Sequence, residues 1–470
     1  MSDPRFDSAA SIQALQQRAT ILRGQGRHRE AVEPLTGLTE IRPTSAVAEH
    51  NLAAALGDMG DAAGALAAAR RAQTKGGDAP ETWLVLARAL VSLSRLPEAE
   101  IALRETLARR PDYADALRDQ AQLIWMQGGD AQAALAPIDA RLAASAPSAP
   151  LVTLRAAIAR EIVGDEEAWR WLEPWLKTAH PPSLDRIASA AAAEFDPALA
   201  LKHAGIAADA APEDVEARVA RLAALLACGR TVEALAGLDR HLEASPDDQY
   251  ALALRYVAWR VLGDPRALAA EDYRRLTAPF DLSPPAGADA DAWLGQAATA
   301  LRALHPFRAQ PLGQSIRSGV QAALDPRFAG APAIDAVFAA LSDPIETFIA
   351  AMTGRDDPMS RRAGSGFEIV GAWSVRLTAG GRHSDHIHPN GWVSSALYVE
   401  TPEPSADQPK AGWLRFGACR LGVGLELPPE HWIEPRPGRV ALFPSWMWHG
   451  TEPFTGGGER LTVAFDVQPR

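Results

Sequence analysis

The sequence predicts a multidomain chain: an all-α superhelix of repeated helix pairs, then a double-stranded β-helix domain with buttressing helices. Two observations predict it. A 34-residue period runs through the first half. Beyond about residue 280 the hydrophobic period changes to two, in short runs separated by Gly- and Pro-bearing turns. At 470 residues there is enough chain for two or three domains with real cores.

The repeat is read from its turns. Gly26, Gly60, Ser94 and Gly128 are each 34 residues apart. Small residues recur in register with them, Ala31, Ala65, Ala99 and Ala133 after the turn and Ala19, Ala53, Ala87 and Ala121 before it. Gly229 and Gly263 resume the same step. Helices of a pair approach closely only where side chains are small, and a tight turn needs a permissive backbone. One pair cannot bury its apolar face alone, so it stacks on its neighbours. About eight pairs are expected over 12–275, degenerate at 148–213. The unit from Glu81 to Pro111, with Trp83, Ala87 and Ala99, resembles a tetratricopeptide repeat, and so does the array. Such arrays bind peptides, partner proteins or themselves. The arm is therefore expected either to recruit a protein or peptide on its concave face or to dimerise and space the second domain. Trp169, Trp171 and Trp175 interrupt the alanine pattern and are expected to pack in the core, with Pro174 kinking or ending their helix.

Residues 276–293, with three prolines, read as a linker. Residues 294–470 follow as the second domain. Helices are expected over about 294–325, interrupted near Pro306 and Pro311, and over about 332–353, kinked at Pro344. Strands are expected at 367–377, 393–399, 412–416, 439–443 and 461–467. Many short strands with turn signals favour a sandwich or barrel. A jelly roll of the cupin kind would bring ligands from distant strands to one centre.

Side chains at i and i+2 of a strand face the same way. His386 and His388 can therefore point at one place, and His449, just past the strand at 439–443, can supply a third imidazole. Three ligands on one face leave open positions on an octahedral ion. Imidazole suits Fe(II), and equally Zn, Cu and Ni. His383 and Asp385 form a competing pair, out of phase with the first, with the His-x-Asp spacing of a two-His-one-carboxylate triad. Spacing alone favours that pair. Arg460 and Thr462 lie eleven and thirteen residues after His449 and share a strand face. A guanidinium fork beside a hydroxyl is a bidentate clamp for a carboxylate.

From about Pro311 to the C-terminus the chain resembles the 2-oxoglutarate/Fe(II) oxygenase superfamily, and within it a bacterial and phage group. The resemblance rests on His386-Ile387-His388-Pro389 followed by a Ser-rich strand ending in Tyr398-Val399. It rests also on the Gly-x4-Phe-Pro-Ser-x3-His run from Gly438 to His449, on Arg460-Leu461-Thr462, and on residues 310–321 as an N-terminal signature. It implies His386, His388 and His449 as Fe(II) ligands, and Arg460 as the 2-oxoglutarate clamp with Thr462 and Tyr398 as helpers. It also implies O2-dependent hydroxylation coupled to decarboxylation of 2-oxoglutarate. The chain departs from the larger superfamily in having His where the carboxylate usually sits. Alternative expectations are a repeat scaffold with a metal-binding but inactive barrel, and an oxygenase acting on a small molecule. Trp373, Trp392, Trp446 and Trp448 flank the motifs as core or pocket wall.

A net charge of −11 argues against nucleic-acid binding. Cys228 and Cys419 form neither a disulfide framework nor a zinc pattern. The N-terminus has no basic stretch followed by an apolar run, and no segment approaches the ~20 apolar residues of a membrane helix. A cytoplasmic protein without membrane partners is expected.

Overall fold

The computed structural model describes residues 9–144, 148–270, 272–354, 357–364, 366–403 and 407–470. Residues 1–8, where a leader was sought, lie outside the described residues. The chain forms two compact units: residues 1–123 with 322–330, and residues 124–321 with 331–470.

Helix pairs run from Ala9–Gly24/His28–Ile41 to Gln249–Leu262/Arg266–Ala270, eight among the described residues, the last cut short. The predicted turn residues Gly26, Gly60, Gly229 and Gly263 have φ between 64° and 96°, the left-handed region where glycine carries no Cβ penalty. Ser94 adopts φ 59° without that advantage. The fourth turn differs from expectation by one residue. Gly128 is the last residue of helix Ala114–Gly128, and Gly129 takes φ 69°. The alanine register slips with it: Ala31, Ala65 and Ala99 are fully buried, but Ala134 rather than Ala133 is buried next. The degenerate stretch holds two regular pairs, Ala149–Ile162/Asp165–Leu176 and Pro182–Ala192/Pro197–Ala210. Trp169, Trp171 and Trp175 pack against Val152, Ala156, Leu172, Leu184 and Ala188, and Pro174 sits in the last turn without ending the helix early. Asp185, 2 % exposed, is shared between His203 Nδ1 (2.7 Å) and His180 Nε2 (3.1 Å), which satisfies a buried carboxylate at the junction of two pairs.

In the first unit, Ala322–Gly330 packs on the turn of the second pair, with Asp325 and Phe328 beside Gly60.

In the second unit the β-domain has eleven strands among the described residues: β1 (Ala278–Asp281), β2 (Ile316–Gln321), β3 (Phe367–His383), β4 (Val393–Glu400), β5 (Leu414–Phe416), β6 (Cys419–Leu421), β7 (Leu425–Leu427), β8 (His431–Ile433), β9 (Arg439–Pro444), β10 (His449–Thr451) and β11 (Arg460–Pro469). A six-stranded sheet has the order β1-β9-β4-β11-β3-β2; β10-β5-β8 form a second sheet and β6-β7 a hairpin. The two sheets are those of a double-stranded β-helix. Helices Ala290–Arg302, Pro332–Ala339 and Ser342–Met352 accompany them.

The helix expected over 294–325 ends at Arg302, and Ile316–Gln321 pairs as an edge strand. Pro306 bars continuation of the helix, Pro311 keeps the following stretch non-helical, and Ser318 (φ 54°) with Gly319 breaks the strand register, so neither period is visible there. Within 276–293, Ala278–Asp281 adds an edge strand to β9, where Pro279 costs no interior ladder bond.

The second half of the arm belongs to the same unit as the barrel, and they are joined through the β6-β7 hairpin. Gly422 and Gly424 lie directly against the Ala193 and Ala227 carbonyls, Val423 N donates to Ala193 O (2.9 Å), and Arg420 pairs with Glu194 (2.7 Å). Arg260 pairs with Glu430 (3.0 Å), and Tyr273 stacks on His431. Neither Cys228 nor Cys419 forms a disulfide among the described residues. Among the described residues no helix is long and apolar enough to cross a membrane.

Candidate active site

Backbone pairing brings the three histidines together. His386 and His449 are directly opposed, each N–H donating to the other's carbonyl (2.9 and 3.0 Å), so their rings share a face. His388, two residues on, is held by its N–H to Ser445 O (2.9 Å) and falls on that face as the alternation requires. One ring nitrogen from each lies within 4.8 Å of the others.

The other ring nitrogens decide the tautomers. His386 Nδ1 donates to Ser384 O (2.8 Å), His449 Nδ1 to Met447 O (2.9 Å), and His388 Nδ1 to the Asp466 carboxylate (2.7 Å). A carbonyl or carboxylate only accepts, so each Nδ1 carries the proton and each Nε2 presents a lone pair. His386 Nε2 and His388 Nε2 are 3.3 Å apart, two lone pairs face to face. Adjacent donors at ~2.1 Å from an octahedral ion would be about 3.0 Å apart. Capped Nδ1 and convergent Nε2 are what metal-binding imidazoles require. Burial first, then the neighbouring His388, pushes His386 down to about 3. Burial, then His386 and His388, holds His449 well below the usual imidazole range. Both rings are therefore neutral near pH 7, with lone pairs available.

Asp466 was missed by sequence reasoning, because its value lies in a contact across 78 residues. It also accepts from Ser394 Oγ (2.7 Å), which in turn meets Ser445 Oγ (2.8 Å).

The competing pair does not converge. Both Asp385 oxygens are held by Arg415 (2.9 and 2.6 Å), and Gly450, whose Cβ would overlap Asp385, leaves room for that ion pair. His383 instead meets Ser315 Oγ through Nδ1 (2.9 Å).

A cavity of about 680 Å³ holds the histidines, Arg460, Thr462 and Thr451. Arg460 is 2 % exposed, its Nε–H donates to Gly412 O (3.2 Å), and among the described residues no carboxylate pairs with it. Burial lowers its pKa while the adjacent Tyr398 opposes the shift. An uncompensated buried cation is costly, and an anion in the cavity would relieve it. Thr451, two residues after His449, was not singled out from sequence; its buried hydroxyl has no partner among the described residues. Tyr398 does not line the cavity. It lies beside Arg460, whose guanidinium carbon is 4.9 Å from its ring centre. Thr462 makes one long contact, to Val375 O (3.5 Å). The donor set thus fits a metal and a carboxylate within one cavity. Trp373 flanks His388 at 5.5 Å, while Trp392 and Trp446 are buried.

Residues 371–466 match the model of the family described as "Putative 2OG-Fe(II) oxygenase", a span that holds all three histidines, Arg460 and Asp466. Among solved structures, a Pseudomonas putida prolyl-4-hydroxylase is 21% identical, over 47% of this chain and 99% of that one, with a TM-score of 0.27. PilF of Pseudomonas aeruginosa is 16% identical, over 44% and 94%, at 0.31. Naa15/Naa10 bound to HypK-THB is 18% identical at 0.28, over 56% of this chain, which spans 41% of that one. No curated protein matches the chain.

Proposed function

From a C-terminal domain of the 2OG-Fe(II) oxygenase type, we infer that the chain is an Fe(II)/2-oxoglutarate-dependent hydroxylase acting on a protein or peptide recruited by the helical arm. The proposal divides the chain into an arm over 12–275, a connection over 276–293 and an oxygenase domain over 294–470, and includes a cytoplasmic location. One observation carries it: three Nε2 lone pairs with capped Nδ1 atoms share a cavity with a buried arginine that no carboxylate among the described residues meets.

His386, His388 and His449 would hold Fe(II). When bound, the metal and 2-oxoglutarate supply O2-dependent oxidation coupled to decarboxylation. The chain's own residues bind and orient. Arg460 takes the distal carboxylate, with Thr462 and Thr451 offering hydroxyls and Tyr398 supporting the guanidinium. Asp466 keeps the His388 ring turned.

A peptide substrate is supported by a second cavity of about 1090 Å³. It shares Asp385, His386, Ile387, Pro389 and Asn390 with the first, so it opens onto the metal end. Its far wall is the arm, with Ala190, Val215, Val219 and Ala223. Together the two exceed the ~300–1,000 Å³ usual for small ligands. A scaffold with an inactive barrel is the second reading, favoured by a histidine in place of the usual carboxylate.

The test is anaerobic titration with Fe(II) and 2-oxoglutarate, watching for the visible charge-transfer band. The expected result is a band that His449→Ala abolishes and Arg460→Ala weakens. Iron binding with no band would reject the cosubstrate. A band without decarboxylation in air would favour the scaffold.

A further inference from the structure

His383 stands beside the three histidines without joining them, and its partner explains its place. Ser315 Oγ lies 2.9 Å from His383 Nδ1 and 3.3 Å from His386 Nε2, the nitrogen that faces the metal position. The backbone fixes this bridge: Ile316 pairs with His383 at the end of β2-β3, and Ser384 N donates to Ser315 O (2.8 Å). Ser315 lines the same cavity.

The proton positions follow. His386 Nδ1 gives its proton to Ser384 O, so His386 Nε2 can only accept. The Ser315 hydroxyl therefore donates to it. A hydroxyl has one proton, so His383 Nδ1 must donate to Ser315 Oγ. The chain of donors runs His383 Nδ1–H to Ser315 Oγ–H to His386 Nε2. A cation on His386 Nε2 takes the lone pair that Ser315 was using. His383 continues to hold Oγ, and the hydroxyl proton has to turn to another acceptor in the cavity.

We propose that Ser315, oriented by His383, is a positioning residue whose hydroxyl hydrogen-bonds the exchangeable ligand sharing the metal with His386. This rests on the reading of the three histidines as metal ligands. It gives His383 a role other than ligation, and gives the 310–321 segment a function at the metal.

Co(II) and azide test this without turnover or 2-oxoglutarate. The full chain is loaded with Co(II), its visible spectrum is recorded, and azide is titrated as an anionic ligand able to accept the hydrogen bond. Ser315→Ala and His383→Ala are compared with wild type, and Ser315→Thr, which restores a hydroxyl, serves as the rescue. Losing one hydrogen bond predicts azide affinity about 3- to 10-fold weaker in both Ala variants. Co(II) affinity stays within about threefold, and Ser315→Thr binds azide more tightly than Ser315→Ala. Azide binding equal to wild type in Ser315→Ala overturns the proposal, and that small change decides the matter even if His383→Ala does not fold. Loss of Co(II) binding in a folded His383→Ala also overturns it, by making His383 a ligand. A wild-type chain that binds no Co(II) removes the three-histidine reading and this proposal together. Co(II) and azide binding as expected, with no Fe(II)/2-oxoglutarate band, rejects only the cosubstrate.

Discussion

At the residue scale, the site depends on groups that turn the rings as much as on the rings themselves. Asp466 is the only carboxylate among the described residues that holds one of the three imidazoles, and its bond to His388 Nδ1 keeps Nε2 aimed at the centre. Asp466→Ala should weaken metal binding by about 10- to 100-fold, measured by Co(II) titration, and Asp466→Asn by less, because an amide oxygen can still accept. Thr451 offers the complementary case. Its hydroxyl is buried and has no partner among the described residues, so Thr451→Val should leave thermal stability nearly unchanged. If that hydroxyl serves the distal carboxylate, the same variant should weaken 2-oxoglutarate binding several-fold, read from the charge-transfer titration. Unchanged affinity would remove Thr451 from the clamp.

At the element scale, the β6-β7 hairpin fixes the barrel to the arm within the second unit. Gly422 has φ 62°, and any Cβ there would overlap the Ala193 carbonyl. Gly422→Val should therefore destabilise by about 1–3 kcal/mol from backbone strain, with the clash adding to it. Calorimetry measures that loss, and Co(II) binding should survive because no ligand lies on the hairpin. Ala223→Trp should fill the arm-side wall of the larger cavity. It should suppress peptide-stimulated decarboxylation while leaving the Fe(II)/2-oxoglutarate band intact, and equal stimulation would reject that route.

At the scale of the whole molecule, ligand and proton binding set stability. A metal bound only by the folded chain adds about 2.7 kcal/mol at a hundredfold excess over its Kd, so Tm should rise with Co(II) and fall back with chelator. Burial pushes His305, which meets Ser374 Oγ at 2.9 Å, down to about 4. Between pH 6.5 and 4 the unfolded chain then binds the proton that the folded chain refuses. Stability is highest above pH 6.5 and falls on acidification, by up to about 3 kcal/mol from this group. His305→Gln should flatten part of that slope in calorimetry at pH 7 and pH 5.

The period of the arm was legible because each pair repeats the same packing problem, and small residues at 19, 53, 87 and 121 are a local answer to it. The long strands β3, β4, β9 and β11 were legible by alternation or by bounded apolar runs. Of the three-residue strands, β5 falls within the run expected at 412–416, while β6, β7, β8 and β10 are shorter than any period can show. His386, His388, His449 and Arg460 stood out by spacing and resemblance. By itself, then, the sequence determined the repeat, the β-domain and the set of chemically able residues. Only the tertiary structure decided which of them meet. Asp385 is held by Arg415, thirty residues away; Asp466 orients His388 across 78; and Ser315 reaches the cavity from a segment that reads as broken helix. Those contacts depend on strand register and on closure of the barrel, which couple residues far apart in the chain and leave no local periodic trace.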